Sequence, residues 1–230
     1  MRAAAKTRQE PAIETPGEVE SLADRAYRAL EEQIVTLRIP PGAVVSEAAL
    51  CRRTGFGRTP IREAIQRLAR ERLILVLPRR GLVVSDISIE TQLRLVETRR
   101  EVERLVARCA ARRASLDERT RFAAIGDGME AAGRENDDTT FMRLDREFNL
   151  LSLKAARNEF AAGAMALMHG LSRRFWYIHY KQVADMPRAA RLHAAIARAI
   201  AAGEPEIAAA ASDALMDYIE EFTRATLPER

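Results

Sequence analysis

The sequence predicts a mainly α-helical protein built from two domains. Its 230 residues suit two modest domains better than one. Alanine and arginine dominate the composition, and both favour helix. With 47% hydrophobic and 30% charged residues the chain is globular in composition, and no apolar stretch approaches the roughly 20 residues that cross a bilayer. The first residues also lack the apolar segment of a secretory signal, so we expect a cytoplasmic location and no membrane contact.

Three segments follow from the distribution of patterns along the chain. Residues 1–18 are expected to form a disordered N-terminal arm, residues 19–86 the first domain, and residues 87–230 a larger helical domain. The net charge is +4, and the whole excess lies within the first 88 residues. Nine arginines and only two glutamates fall between Arg52 and Arg80. This density indicates a polyanionic partner, although a solvated arginine-rich face remains the alternative on charge alone.

Two short helices open the first domain. Apolar residues recur at three- or four-residue steps from Leu22 to Leu37, and the sequence Ile-Pro-Pro-Gly at 39–42 ends that helix. Ser46 then starts a short second helix. The Thr-Gly-Phe-Gly sequence at 54–57 follows it and is typical of a tight turn.

A third helix begins directly after this turn. Pro60 suits its first turn because proline lacks the N–H that would be unpaired there, with Gly57 or Thr59 as the cap. The apolar face of this helix consists of Ile61, Ala64, Ile65 and Leu68. Arg58, Thr59 and Arg62 therefore point away from the core and are free to contact a partner.

A β-hairpin follows the third helix. Two short aliphatic runs, 73–77 and 82–84, flank the sequence Pro-Arg-Arg-Gly at 78–81, which is typical of a hairpin turn and places two arginines at its tip. Helix, helix, turn, helix and basic hairpin is the order of elements in a winged helix-turn-helix. In that fold the third helix enters the major groove and the hairpin lies along the flanking backbone.

The remainder of the chain is predicted to be a bundle of six or seven helices. Ser115 and Glu118 form a capping box, and Gly203 is expected to end a helix. Roughly 140 residues are enough to bury a core of their own. The six segments that we identify are 89–114, 117–132, 138–156, 159–181, 187–202 and 205–226.

The first domain resembles the DNA-binding domain of GntR-family transcription regulators. The similarity covers the Ile-Pro-Pro-Gly at 39–42, the Thr-Gly-Phe-Gly-Arg-Thr-Pro-Ile-Arg-Glu-Ala-Ile sequence at 54–65 and the Pro-Arg-Arg-Gly at 78–81. The helical remainder resembles the FCD effector domain of the FadR subfamily, and six helices would place it nearer the VanR-like branch. The resemblance implies a homodimer that binds a palindromic operator in double-stranded DNA, commonly as a repressor, and responds to a small metabolite.

The resemblance also implies which residues contact DNA. Arg58 and Arg62 match arginines that reach guanine edges or nearby phosphates, and Thr59 matches a backbone contact. A guanidinium fork suits the paired acceptors of guanine. The tip of the wing corresponds to Arg79, Arg80 and Gly81.

The third helix differs from the family at its N-terminal cap, and it carries further arginines near its C-terminal end. Gly57 stands where the family usually has a serine, so a hydroxyl that would cap the helix is absent, although glycine is itself an acceptable cap. Arg67, Arg70 and Arg72 lie towards the far end of the helix. We expect them to be solvated or paired within the protein.

Many FCD domains bind a divalent metal through an aspartate and three histidines. The matching residues here are Asp145, Asn149, His193 and Tyr218, so two of the four ligands differ. Loss of two imidazoles weakens a zinc or nickel site, although Asp145, Asn149 and His193 still offer a weaker, oxygen-preferring one. The alternative is a polar core network that ties three helices together.

Without a metal the second domain would bind its ligand directly, and we expect a small carboxylate-type effector. Arg99 matches an inward arginine of the first effector helix, where a guanidinium suits a carboxylate or phosphate. Asn158 also falls on a family position near the cavity. The predicted effector-binding residues are therefore Arg99, Asp145, Asn149, Asn158, His193 and Tyr218.

The aromatic-rich helical segment 159–181 offers further candidates. Arg174, Tyr177 and His179 are expected either to line the cavity or to have a surface or core role. Phe175 and Trp176 are most simply aromatic residues of the core or of a dimer interface.

Two other functions remain open to the sequence. One is a constitutive architectural DNA-binding protein whose helical domain is purely structural. The other is a metal-dependent helical-bundle enzyme, which is disfavoured because the chain has neither a catalytic Ser/His/Asp or Cys/His arrangement nor a phosphate-binding glycine loop. Cys51 and Cys109 have no Cys-x-x-Cys spacing and are expected to be reduced thiols.

Overall fold

A computed structural model describes residues 21–227, and the predicted arm over residues 1–18 lies outside this range. The elements of the first domain are α1 (Leu22–Val35), β1 (Val44–Val45), α2 (Glu47–Thr54), α3 (Arg58–Arg70), β2 (Ile74–Leu77) and β3 (Gly81–Val84). The second domain contains α4 (Ile89–Arg113), α5 (Leu116–Glu135), α6 (Asp138–Ala156), α7 (Glu159–Val183), α8 (Met186–Ala202) and α9 (Pro205–Ala225). The predicted helical fold with an N-terminal winged helix-turn-helix is confirmed. Within the described range no helix has the length and apolar character that spanning a membrane requires.

The first domain is built around one apolar cluster beneath three helices. Leu30 of α1, Leu50 of α2 and Leu68 of α3 are almost fully buried in it. Ser46 caps α2 by accepting a hydrogen bond from the backbone of Ala49, and Gly57 is the N-cap of α3. The predicted apolar face of α3 is buried as a whole, which leaves its opposite face to solvent.

The wing is a three-stranded antiparallel sheet in the order β1-β3-β2. The predicted hairpin forms, although Gly81, expected in the turn, is the first residue of β3 and pairs with Leu77. Val44 of β1 pairs with Val83 of β3. The strand β1 was not predicted from the sequence, because two residues are too few to show an alternating pattern.

The second domain contains the six helices predicted from the sequence, with ends that shift by three residues or fewer. The capping box of Ser115 and Glu118 forms at the start of α5, and Gly203 ends α8 in a left-handed conformation. The largest apolar cluster of the domain includes Phe122, Phe141 and Phe148. It is separate from the core of the first domain.

Helix α7 holds the two domains together. Gly170 lies so close to the buried Leu73 that a Cβ atom at position 170 would be 2.6 Å from a Leu73 methyl group. Arg174 donates to the carbonyl oxygen of Ser85 at 2.8 Å, to its hydroxyl at 3.0 Å and to the carbonyl oxygen of Asp86 at 3.2 Å. Burial lowers the pKa of Arg174 to about 10. Arg174 therefore links the two domains. Of the two roles expected for it, lining a ligand cavity is wrong and a buried structural role is confirmed.

Candidate functional sites

The exposed face of α3 carries the three side chains that the sequence assigned to DNA contact there. Arg58, Thr59 and Arg62 are all exposed, while Ile61 between them is fully buried. Arg58 and Thr59 occupy the first turn of α3. The N-terminus of a helix offers free backbone N–H groups that suit phosphate. This face therefore combines cationic side chains with donors at one end of the helix.

Glu47 of α2 orients Arg62. The Nε atom of Arg62 donates to Oε2 of Glu47 at 2.7 Å. This hydrogen bond also raises the pKa of Arg62 above its ordinary value. Because the contact uses Nε, it leaves the two terminal amino groups for another partner.

The tip of the wing is fully exposed and cationic. Arg79, Arg80 and Gly81 are all solvent-exposed. Both Arg79 and Gly81 have positive φ angles, of 65° and 79°, so the turn is tight at these two positions. The predicted placement of two arginines at the end of the hairpin agrees with the structure.

Arg67 is partly exposed but its guanidinium contacts other residues of the first domain. Its guanidinium lies 3.6 Å from the ring centroid of Tyr27 and its Nε donates to Glu71 at 3.2 Å. Tyr27 in turn donates to Glu71 at 2.8 Å. The expectation that Arg67 pairs within the protein is met by these contacts.

The second domain contains a cavity of about 780 Å³. Helices α4, α6, α7, α8 and α9 supply most of its wall, and the end of α1 and the residues after it supply the rest, among them Glu32 and Val35. The volume falls in the range of about 300–1,000 Å³ that is usual for small-molecule sites. The cavity therefore touches both domains.

The floor of the cavity consists of four ionisable side chains that are paired with each other, namely Arg99, Glu103, Asp145 and His193. Arg99 donates from Nε to Glu103 at 2.7 Å and from a terminal nitrogen to the hydroxyl of Ser172. Gln92 donates to the same hydroxyl at 3.4 Å. The guanidinium of Arg99 faces the cavity as predicted, but Glu103 neutralises its charge.

A second pair on the floor joins α6 to α8. His193 Nε2 lies 3.1 Å from Oδ1 of Asp145, and its Nδ1 lies 2.8 Å from the carbonyl oxygen of Ala189. Asn149 donates to Asp145 at 3.1 Å. Burial lowers the pKa of His193, but the hydrogen bond and charge of Asp145 outweigh burial, so that the pKa is raised overall. Asp145 and His193 therefore form a buried hydrogen-bonded pair in which the carboxylate favours the protonated ring.

The donor set does not fit a transition-metal ion. Residues 21–227 contain no group of three or more His, Cys, Asp or Glu side chains placed to hold a metal. Tyr218, at the position of an expected histidine, donates to the carbonyl oxygen of Asp185 at 3.2 Å and accepts from its N–H at 3.0 Å. Asp145 and His193 leave one amide, Asn149, as the only further ligand among the predicted positions. A polar network between helices accounts for these contacts.

Two candidate residues lie away from the cavity wall. Asn158 is the N-cap of α7, where its side chain accepts a hydrogen bond from the backbone N–H of Ala161 at 3.1 Å. The structure does not bring it to the cavity, so the prediction of a direct effector contact is corrected to a capping role. His179 packs against Phe175, with ring centroids 4.7 Å apart.

Aromatic rings are concentrated around the cavity. The chain has seven Phe, four Tyr and one Trp, and eight of these twelve rings line the cavity. Trp176 stacks at 6.4 Å on Tyr180 and lies 4.7 Å from Phe222. Trp176 packs against the core of the second domain, as expected, and it also lines the cavity, which the sequence did not predict.

His169 is a cavity residue that the sequence analysis did not assign. It lies on α7 beside Arg99 and Asp145. Burial, helped by the charge of Arg99, lowers the pKa of His169 and so favours the neutral ring. A stripe at helical spacing, His169, Ser172, Trp176 and Tyr180, was the available signal for this wall.

Comparisons with known proteins assign both domains. The model for bacterial regulatory proteins of the gntR family matches residues 22–84, and the FCD domain model matches residues 94–218. An HTH-type regulator of Agrobacterium vitis, from the TAR-I ttuE-ttuC' intergenic region, is 36% identical over 91 residues, 38% of this chain and 53% of that protein. The HTH-type transcriptional repressor RspR of Escherichia coli is 39% identical over 85 residues, 37% of each chain. The chain thus spans about half or less of these two curated relatives.

Solved structures share the fold over nearly the whole chain. Escherichia coli McbR/YncC superposes with a TM-score of 0.73 at 16% identity, covering 90% of this chain and 99% of that one. A GntR regulator from Rhodococcus sp. RHA1 gives 0.64 at 22% identity, covering 89% and 98%. The FCD match alone covers more than half of the sequence. The chain belongs to the GntR family of bacterial transcription regulators, in the group that carries an FCD domain.

Proposed function

We propose that this regulator binds a palindromic operator as a homodimer, as a repressor, and that a small anionic effector in the FCD cavity changes its affinity for DNA. One observation carries the proposal. A single chain presents an exposed Arg58 and Arg62 face on its third helix and encloses a ligand-sized cavity whose wall includes Glu32 of the DNA-binding domain. Such a regulator acts where the chromosome is, in the cytoplasm.

The geometry of α3 supports base reading by Arg58 and Arg62. Both side chains are exposed on the face opposite the core, and Glu47 fixes the direction of the Arg62 guanidinium. Arginine donates two parallel hydrogen bonds to guanine O6 and N7. Arg79 and Arg80 would then contact phosphates beside the recognition helix, where they add affinity without sequence preference.

Exposed apolar side chains on α4 and α7 support a dimer. Leu105, Phe160 and Leu167 are 41%, 82% and 50% exposed. Large apolar side chains that stay exposed in the single chain gain free energy when a partner covers them. A second copy of the chain is the proposed partner, because a two-fold pair places two recognition helices on the two halves of a palindrome.

Selection of bound duplexes from a random pool tests the DNA-binding part of this proposal. We expect enrichment of an inverted repeat whose half-sites lie about one helical turn apart. The double variant Arg58→Ala/Arg62→Ala is the matched negative sample. Enrichment of a single, unrepeated site, or of no sequence at all, would contradict binding of a palindromic operator by a dimer.

Ligand response separates this function from that of an architectural DNA-binding protein. A panel of small carboxylates, acyl-CoA thioesters and sugar acids is added during thermal unfolding. A true ligand at 100 times its dissociation constant adds roughly 2.7 kcal/mol of stability. A flat response to the whole panel would favour the architectural alternative.

A further inference from the structure

One side chain of α7 joins the cavity to the DNA-binding domain. Arg173 lines the cavity, and its two terminal nitrogens lie 2.9 Å from Glu31 Oε1 and 3.3 Å from Glu32 Oε2. Both glutamates belong to α1. Thr36 and Arg38, which follow α1, also line the cavity. The first domain is thus part of the cavity wall, and Arg173 is the cavity residue that forms ion pairs with α1.

The charges around the cavity are unevenly compensated. On the floor, Arg99 pairs with Glu103, and His193 pairs with Asp145. The wall also carries exposed cations that make no ion pair with another residue of the described chain, namely Arg38, Arg143, Arg146 and Lys181. The cavity wall therefore carries cationic groups beyond these two pairs, and they favour an anionic ligand.

We propose that the cavity takes an amphipathic anion, with an apolar or aromatic body against Trp176 and an acidic group held by Arg173. In binding Arg173 the ligand competes with Glu31 and Glu32 and loosens α1 from α7. Both arginines are paired, but Arg99 is paired with Glu103 of its own helix and its side chain is 10% exposed, whereas the partners of Arg173 belong to the other domain and its side chain is 30% exposed. Arg173 is therefore the main anion receptor in this proposal. This inference rests on the proposed function, since it names the ligand class and the regulation of the same site.

The two glutamates differ in what they lose when Arg173 turns to a ligand. Glu32 is exposed and can be solvated, but the side chain of Glu31 is only 11% exposed. Glu31 also lies near Glu71, whose pKa burial raises first and the charge of Glu31 raises further. A buried carboxylate beside another carboxylate is costly once its cation is withdrawn. Withdrawal of Arg173 from Glu31 therefore favours movement of α1 away from α7.

Energy transfer from the single tryptophan to anilinonaphthalene sulfonate tests the proposal. This probe is an aromatic anion that fluoresces in apolar surroundings, and Trp176 on the cavity wall is the only donor of its kind in the chain. We expect saturable transfer in the wild-type protein. Arg173→Gln should weaken binding by about tenfold, the scale of one charge-assisted hydrogen bond.

Two further variants make the test specific. Glu32→Gln removes an exposed competitor without touching the cavity floor, and it should tighten probe binding several-fold. Arg99→Gln should weaken probe binding less than Arg173→Gln does. Arg198→Gln is the control, because Arg198 pairs with Asp127 and Glu130 and does not line the cavity.

Hydrogen exchange gives the second readout. Saturating probe should speed amide exchange across residues 22–35 in the wild-type protein, and Arg173→Gln should show fast exchange there without probe. No transfer from Trp176, a Glu32→Gln variant that binds no more tightly, or a larger loss in Arg99→Gln than in Arg173→Gln would each overturn the proposal. The operator selection does not depend on these results. A failure of this proposal is therefore distinguishable from a failure of the proposed DNA-binding function.

Discussion

Arg62 of α3 donates from Nε to Glu47 of α2, over 2.7 Å, at the exposed face of the helix-turn-helix. The contact joins the two helices at their solvent side, where packing imposes little order. Because only Nε is used, the two terminal amino groups of Arg62 stay available, and Glu47 fixes the direction in which they point. A guanidinium held in this way enters a groove with less conformational entropy to lose.

Alanine substitution at Arg58 or Arg62 should relax sequence discrimination. We expect each variant to lose about 1–3 kcal/mol on the selected operator and much less on random duplex, because a bidentate contact to guanine is sequence-dependent. Competition binding at fixed salt measures the difference. Arg70→Ala, at the far end of α3, is the control. Equal losses on both duplexes would assign Arg58 and Arg62 to phosphate.

Substitution at the wing should act differently. Arg79→Ala and Arg80→Ala are expected to weaken operator and random DNA alike, and each should reduce the slope of log affinity against log salt by about 1, the share of a single neutralised phosphate. Titrations at several salt concentrations give the slope. An unchanged slope with impaired discrimination would show that the wing reads bases.

The exposed apolar side chains should control assembly. Leu167→Glu places a charge on the proposed dimer face of α7, and we expect sedimentation to show a monomer with greatly weakened operator binding. Leu116→Glu is the matched control, since Leu116 is 83% exposed at the start of α5. A dimer that survives Leu167→Glu would place the interface elsewhere.

Zinc or nickel should leave the stability of the protein unchanged. The ring nitrogens of His193 face Asp145 and the carbonyl oxygen of Ala189, and Tyr218 is bound to the backbone of Asp185. Too few soft ligands remain for these ions. Thermal unfolding with and without a chelator measures this, and metal analysis of the purified protein accompanies it. A raised Tm with stoichiometric metal that His193→Ala abolishes would contradict the expectation.

Acid should weaken one ion pair that fixes the bundle. Glu118 accepts at 2.9 Å from Arg157 and from the N–H of Ser115. Burial raises the pKa of Glu118, but these hydrogen bonds outweigh it and the net pKa is lowered. The unfolded chain therefore binds the proton more tightly, so the stabilisation is complete above the ordinary glutamate pKa and is lost as pH falls below it.

Urea unfolding of Glu118→Gln checks this dependence. At neutral pH we expect the variant to be about 1–2 kcal/mol less stable than the wild type, the scale of hydrogen bonds to a charged group. The gap should narrow in acid. A gap that stays constant with pH would mean that shape and not charge sets the role of Glu118.

Much of the fold was predictable because the sequence carries strong local signals. The turn at 54–57, Pro60 and the buried stripe of α3 locate the third helix, and Gly81 locates the hairpin. The second-domain helices follow from caps such as Ser115. Strand β1 was missed because it has only two residues and forms by pairing with β3, which is distant in sequence.

The site was less predictable, since its wall comes from helices far apart in sequence. Matching positions located Arg99, Asp145 and His193, but they could not show that Glu103 neutralises Arg99. Asn158 serves as a helix cap, a role that its position before α7 also allowed. The contact of Arg173 with α1 spans more than 140 residues, so only the folded chain brings it to the cavity.

The contact between Gly170 and Leu73 has a mechanical consequence. There is no space for even one more carbon between them, and Leu73 is itself packed in the core of the first domain. An alanine at position 170 would therefore require either the Leu73 methyl group to shift or the two lobes to move apart, whether or not the cavity is filled.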